Sequence, residues 1–136
     1  MRIETGGPEE TEAAAADLAA RLRPGDVVLV SGELGSGKTT FVRGAARALG
    51  VGGAVTSPTF TIGQVYEARE GEIAHLDLYR LASLAGEDPA LLEDYLTPGR
   101  IAFVEWPDGG RAAFGRVAAR VRLEHRGGDR RALTIE

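Results

Sequence analysis

The sequence predicts an α/β fold: one P-loop NTPase-like domain spanning 1–136, with a mixed central sheet flanked by helices and β-hairpins in its second half. Three observations carry this. A short apolar β-branched run, Val27–Ser31, leads at once into a glycine-rich stretch, "GELGSGKT", and then into a helix-period segment. Two strand-like runs follow, joined by "REGE". The C-terminal quarter then alternates apolar and charged residues around "RGGDR".

Taken in order, residues 9–22, "EETEAAAADLAARL", read as a helix. Pro8 suits the first helical position, and Glu9 and Glu10 suit the positive end of the helix dipole. "RPGD" (23–26) is a turn. The run Val27–Ser31 is apolar at four successive positions, as in a strand buried on both faces. From Thr39 to Gly50 the residues Phe41, Val42, Ala45, Ala46 and Leu49 share one helical face, and Gly50 is a stop signal. "VGGAVTSPTF" (51–60) is a loop, and the strand-like runs are 61–68 and 72–79. A short helix is expected within 84–96, opening near Asp88–Pro89, and a buried strand at 100–106. In "RVAARVRLEH" (116–125), Ala119, Val121 and Leu123 face inward, while Arg120, Arg122 and Glu124 face out. Residues 132–136 pair with this strand as a terminal hairpin.

Composition excludes several classes of function. The 136 residues suit one core, and the formal net charge of −4 argues against broad nonspecific nucleic-acid binding. With no cysteine there is no disulfide framework, thiol chemistry or cysteine metal site. No apolar run is long enough to span a membrane, so a cytoplasmic protein is expected. Asparagine is absent, Gln64 is the only glutamine and there is one methionine. This pattern fits both the avoidance of heat-labile residues and GC-rich coding.

Gly32–Thr39 matches G-x-x-x-x-G-K-[ST], the P-loop pattern. Glycines let the backbone curl closely around a phosphate, and the next helix adds its N–H groups and positive dipole end. Lys38 is the only lysine; the other fifteen of the 16 basic residues are arginine. A compact ammonium beside the β- and γ-phosphates does what a broad guanidinium fork does not. The Thr39 hydroxyl suits Mg²⁺. The guanine-reading N-K-x-D motif is absent, which favours ATP. Glu10–Thr11 and loops near the sheet edge are the candidates for base contact.

P-loop enzymes place a carboxylate at the end of a neighbouring strand to hold the metal or orient water. Glu105 closes "IAFVE" and Asp77 closes "IAHLD". Either acid suits either task. His75 shares a strand face with Asp77 and reads first as structural. Arg80 suits a phosphate contact, a partner contact or a salt bridge. Trp106 is an anchor that would also shape a site beside Glu105, and "TSPTF" reads either as a phosphate-sensing switch carrying Ser57 and Thr59 or as a plain proline turn.

"GELGSGKTTFVRG", "SPTF", "HLDLYRL" and "FVEWPD", in this order and spacing from Gly32 to Asp108, resemble the bacterial TsaE (YjeE) family. The family consists of small P-loop ATPases that serve formation of threonylcarbamoyladenosine beside the anticodon of tRNA, working with TsaB and TsaD. The resemblance implies that Gly35, Ser36, Gly37, Lys38, Thr39 and Thr40 hold ATP, with Thr39 and Glu105 on Mg²⁺. It makes Lys38, Asp77 and Glu105 the catalytic set, Ser57, Pro58 and Thr59 a switch-like loop, and Trp106 a neighbour of the site. It also implies a TsaB–TsaD partner, tRNA reached indirectly, and neither DNA nor membrane. Phe60 stands where Tyr is frequent, and the region after "EWPD" is short for the family.

Two other classes stay open on the residues alone. A small-molecule P-loop kinase needs an arginine-bearing lid, yet no arginine occurs between Arg80 and Arg100. A non-hydrolysing nucleotide-binding module needs only the glycine loop. The arginines at 116, 120, 122, 126, 130 and 131 read as a solvated face in an arginine-rich protein, with a basic binding patch as the alternative.

Overall fold

The computed structural model describes residues 1–33, 36–55, 63–78, 95–105 and 117–136. Its elements are β1 (Arg2–Thr5), α1 (Pro8–Ala19), β2 (Val27–Gly32), α2 (Lys38–Ala48), β3 (Gly63–Ala68), β4 (Gly71–Asp77), β5 (Arg100–Glu105), β6 (Val117–His125) and β7 (Arg131–Ile135). The seven strands form one sheet in the order β1-β7-β6-β2-β5-β4-β3. The mixed character expected from the sequence is present: β6, β2, β5 and β4 run parallel, while β3, β7 and β1 are added through antiparallel pairs.

Strand β2 lies between β6 and β5, and Val27, Val28, Leu29 and Val30 are all buried. That position explains its unbroken apolar run. Alternate residues divide between two cores. Val28, Val30, Ile73, Ile101, Phe103, Val121 and Leu133 pack with α1 and α2 on one face. Val27, Leu29, Ala74, Leu76, Ala102 and Val104 pack on the other, where Leu78, Tyr95 and Leu96 join them. Both described helices therefore lie on the same side of the sheet.

The helices start and stop for local reasons. Pro8 opens α1 after Gly7, and the Glu10 carboxylate accepts from the Gly6 N–H at 2.9 Å. α1 ends at Ala19, three residues before the expected Leu22. Arg21 and Leu22 instead donate to Leu18 and Ala19, a tighter i→i−3 turn that precedes Pro24. α2 ends as expected at Gly50. Its φ is +98°, the Gly50 N–H donates to Arg47 and the Val51 N–H to Ala46. These two bonds satisfy the last carbonyls in a Schellman arrangement.

β1 is not anticipated by the sequence. Four residues carrying one apolar side chain, Ile3, are too short a signal. The strand forms because β7 offers a partner edge, and the terminal ammonium of Met1 also donates to the Ile135 carbonyl at 2.9 Å. The β3–β4 and β6–β7 hairpins form as expected, with Ala119, Val121 and Leu123 buried and Arg120 and Arg122 exposed. An irregularity in the β2–β6 register leaves Ala118 without a β2 partner and is not legible in the alternation. Most of the expected helix at 84–96 lies outside the described residues, and Tyr95 and Leu96 are not helical.

Candidate functional site

The site is built where β2 ends. Gly32 closes the strand at φ +150°, and a Cβ there would lie 2.6 Å from the Leu123 carbonyl oxygen. Only glycine lets the chain leave the sheet this close to β6. The Ser36 N–H donates to the Glu33 carbonyl at 3.0 Å, and Gly37 enters α2 in the left-handed region at φ +101°. Lys38 folds back over this turn. Its Nζ donates to the carbonyl oxygens of Gly32 at 2.8 Å and Glu33 at 3.0 Å. Ser36 is fully buried, and its hydroxyl has no hydrogen-bond partner. Thr39 and Thr40 follow in the first turn of α2, both half-buried.

Parallel pairing then brings the two acids alongside. Val30 pairs with Glu105, and Glu105 pairs with Asp77, so Glu105 stands at the end of the strand beside β2 and Asp77 at the end of the strand beyond it. They lie on the sheet face that carries α2, because they alternate in phase with Ile73, Ile101 and Phe103. Glu105 is 3% exposed, which excludes a solvated strand-end acid, whereas Asp77 is half-buried.

His75 is fully buried, and its Nε2 lies 2.6 Å from Glu105 Oε2. The sequence placed His75 beside Asp77 and not against Glu105. A polar ring inside "IAHLD" needs a buried partner, and which one depends on strand order.

On the β6 side of the loop a cleft opens between Pro8 and Thr11 of α1, Gly37 and Thr40 of α2, and Asp129 and Arg131 of the terminal hairpin. Thr11 belongs to one of the segments the sequence offers for base contact; Arg131 reads in the sequence as part of a solvated charged face or of a basic patch, not as a neighbour of the glycine loop. Among the described residues no cluster of three or more His, Cys, Asp or Glu side chains forms a self-sufficient metal site. One hydroxyl and one or two carboxylates suit Mg²⁺ that arrives with a nucleotide and keeps several waters. Gly35, Ser57, Pro58, Thr59, Arg80 and Trp106 lie outside the described residues.

Residues 5–133 match the family model for the threonylcarbamoyl adenosine biosynthesis protein TsaE. The chain belongs to the TsaE family. Its relatives include the tRNA threonylcarbamoyladenosine biosynthesis protein TsaE of Bacillus subtilis, 36% identical over 99% of this chain and 84% of the relative. The TsaE protein of Streptomyces coelicolor is 42% identical over 82% of this chain and 77% of its own. The crystal structure of Bacillus subtilis YdiB superposes with a TM-score of 0.68 at 30% identity, covering 99% of this chain and 83% of that one. The TsaE family places the chain in tRNA threonylcarbamoyladenosine biosynthesis. No helix among the described residues is long and apolar enough to cross a membrane.

Proposed function

We propose that this TsaE-family chain binds ATP with Mg²⁺ and hydrolyses it as an accessory factor to a TsaB–TsaD pair, without itself modifying tRNA. The observation that carries this is the lysine-bearing loop at the end of β2, with a buried glutamate on the next strand.

Lys38 is held by two neutral carbonyl oxygens, and phosphate oxygens are stronger acceptors for an ammonium. Binding would exchange the first for the second. The backbone at Ser36–Thr39 and the start of α2 add N–H groups and the helix dipole. The Thr39 hydroxyl and the Glu105 carboxylate are the donors for Mg²⁺, which when bound neutralises phosphate charge. Asp77, register-paired with Glu105, is the second carboxylate and would orient water or support the metal. Since both acids lie on the β5–β4 side of the loop, the terminal phosphate would lie toward that side and the nucleoside toward β6 and β7.

The test is ATP hydrolysis with Mg²⁺, alone and with TsaB–TsaD from the same source. Wild type is compared with Glu105→Ala, and metabolite phosphorylation is assayed in parallel. Stimulation by the pair that disappears in the variant supports the reading. Equal turnover with and without partners, or phosphate transfer to a metabolite, overturns it.

A further inference from the structure

We infer that His75 is a positioning residue for Glu105: it donates its Nε2–H to one carboxylate oxygen and so fixes the direction of the other. This rests on the reading of Glu105 as the metal-side acid.

The two side chains come from neighbouring parallel strands. Asp77 pairs with Glu105 and His75 with Phe103, so His75 reaches Glu105 diagonally across one sheet face. The Nε2–Oε2 distance of 2.6 Å falls among short, charge-assisted bonds. Both side chains are buried, at 0% and 4% exposure, so water contributes little to satisfying this carboxylate.

The other ring nitrogen decides the direction of donation. His75 Nδ1 is buried with no hydrogen-bond partner. With the proton on Nε2, the unused atom is a bare lone pair. With the proton on Nδ1, an N–H is buried without an acceptor and the bare Nε2 lone pair faces a carboxylate oxygen that, when ionised, can only accept. The first arrangement is favoured, and His75 is the donor.

A terminal carboxylate turns broadly about its last torsion. One short bond from a packed ring sets its plane, leaving Oε1 to face what the site holds. The ring is itself held, since β4 lies between β3 and β5 and His75 is fully buried. An imidazole behind a metal-side carboxylate thus does what partners of metal ligands do elsewhere.

The chain has two histidines, His75 and the exposed His125, so ring nitrogen NMR resolves them, with His125→Gln for assignment. The expected spectrum of the nucleotide-free protein at neutral pH has the His75 proton on Nε2, with a resonance that moves in Glu105→Gln. A proton on Nδ1, or no response to Glu105→Gln, overturns the proposal. Function gives a second readout. His75→Phe keeps the volume and loses the donor, whereas His75→Gln keeps a donor at similar reach.

ATP affinity without Mg²⁺ should be unchanged in both variants. The gain in affinity on adding Mg²⁺, and kcat with TsaB–TsaD, should each fall about 10–100-fold in His75→Phe with KM little changed. His75→Gln should recover most of both. Retention of the Mg²⁺ effect in His75→Phe overturns the proposal. If His75→Phe does not fold by circular dichroism, His75→Gln is compared with the shorter His75→Asn, and equal activity of those two overturns it. A wild-type protein that binds no ATP would sink the ATPase reading instead, and the tautomer spectrum then decides by itself whether His75 orients Glu105.

Discussion

At the residue scale, Lys38 and Gly32 do different work in one loop. Lys38→Ala removes an ammonium that holds two carbonyls and, in the proposed complex, phosphate oxygens. Charged hydrogen bonds contribute about 1.5–3 kcal/mol each, so nucleotide affinity should fall roughly 10–100-fold. A titration with a fluorescent ATP analogue measures this, and unchanged affinity would remove Lys38 from the phosphate site. Gly32→Ala tests the scaffold. It combines a positive φ with a Cβ 2.6 Å from a backbone oxygen of β6. The expected cost is roughly 1–3 kcal/mol, seen as a lower thermal midpoint. The glycines and the lysine were legible because phosphate binding constrains residue type locally. The partnership of His75 with Glu105 was not, since the two meet only once β4 and β5 are neighbours.

At the scale of elements, the helix pair poses two effects against each other at Gly44. Helix propensity favours alanine by about 1 kcal/mol. The crossing with α1 opposes it, because a Cβ would lie 2.5 Å from Glu12 Cα and 2.6 Å from the Glu12 carbonyl oxygen. Those are backbone atoms and have no rotamer to yield. Overpacking of this kind costs about 1–3 kcal/mol or more, so Gly44→Ala should destabilise the protein in urea unfolding. A gain in stability would show that α1 moves freely over α2. The apolar stripe of α2 announced that the helix is buried. It did not announce how closely α1 crosses it, and the premature end of α1 likewise came from a local turn that helix propensity does not register.

At the scale of the whole molecule, the sheet order does what no motif does: it sets Glu105 on the strand beside the loop, and Asp77 beside Glu105, though the three lie far apart in sequence. Phe103, fully buried in the same face of β5, supports that arrangement. Phe103→Ala should cost about 3–5 kcal/mol, with Mg²⁺-dependent turnover falling alongside stability. Denaturant titration paired with the hydrolysis assay checks both. The outer edge makes a separate prediction. Deleting residues 1–5 removes the whole of β1 and leaves the β7 edge open. At about 1 kcal/mol net for each lost backbone bond, the loss should be roughly 2–4 kcal/mol, with increased self-association from an unprotected strand. Urea midpoints and light scattering measure the two effects.

The sequence by itself determined the glycine loop, its lysine, the strand before it, the helix after it and the two acids at strand ends. Each of these depends on residue type or on a short period, and both are local. The tertiary structure decided the rest: which strands are neighbours, that both described helices share one face, that β1 exists at all, and that a histidine in β4 holds a glutamate in β5. These follow from pairing between distant segments, where the hydrogen bonds and packing that stabilise an arrangement come from residues no local window contains.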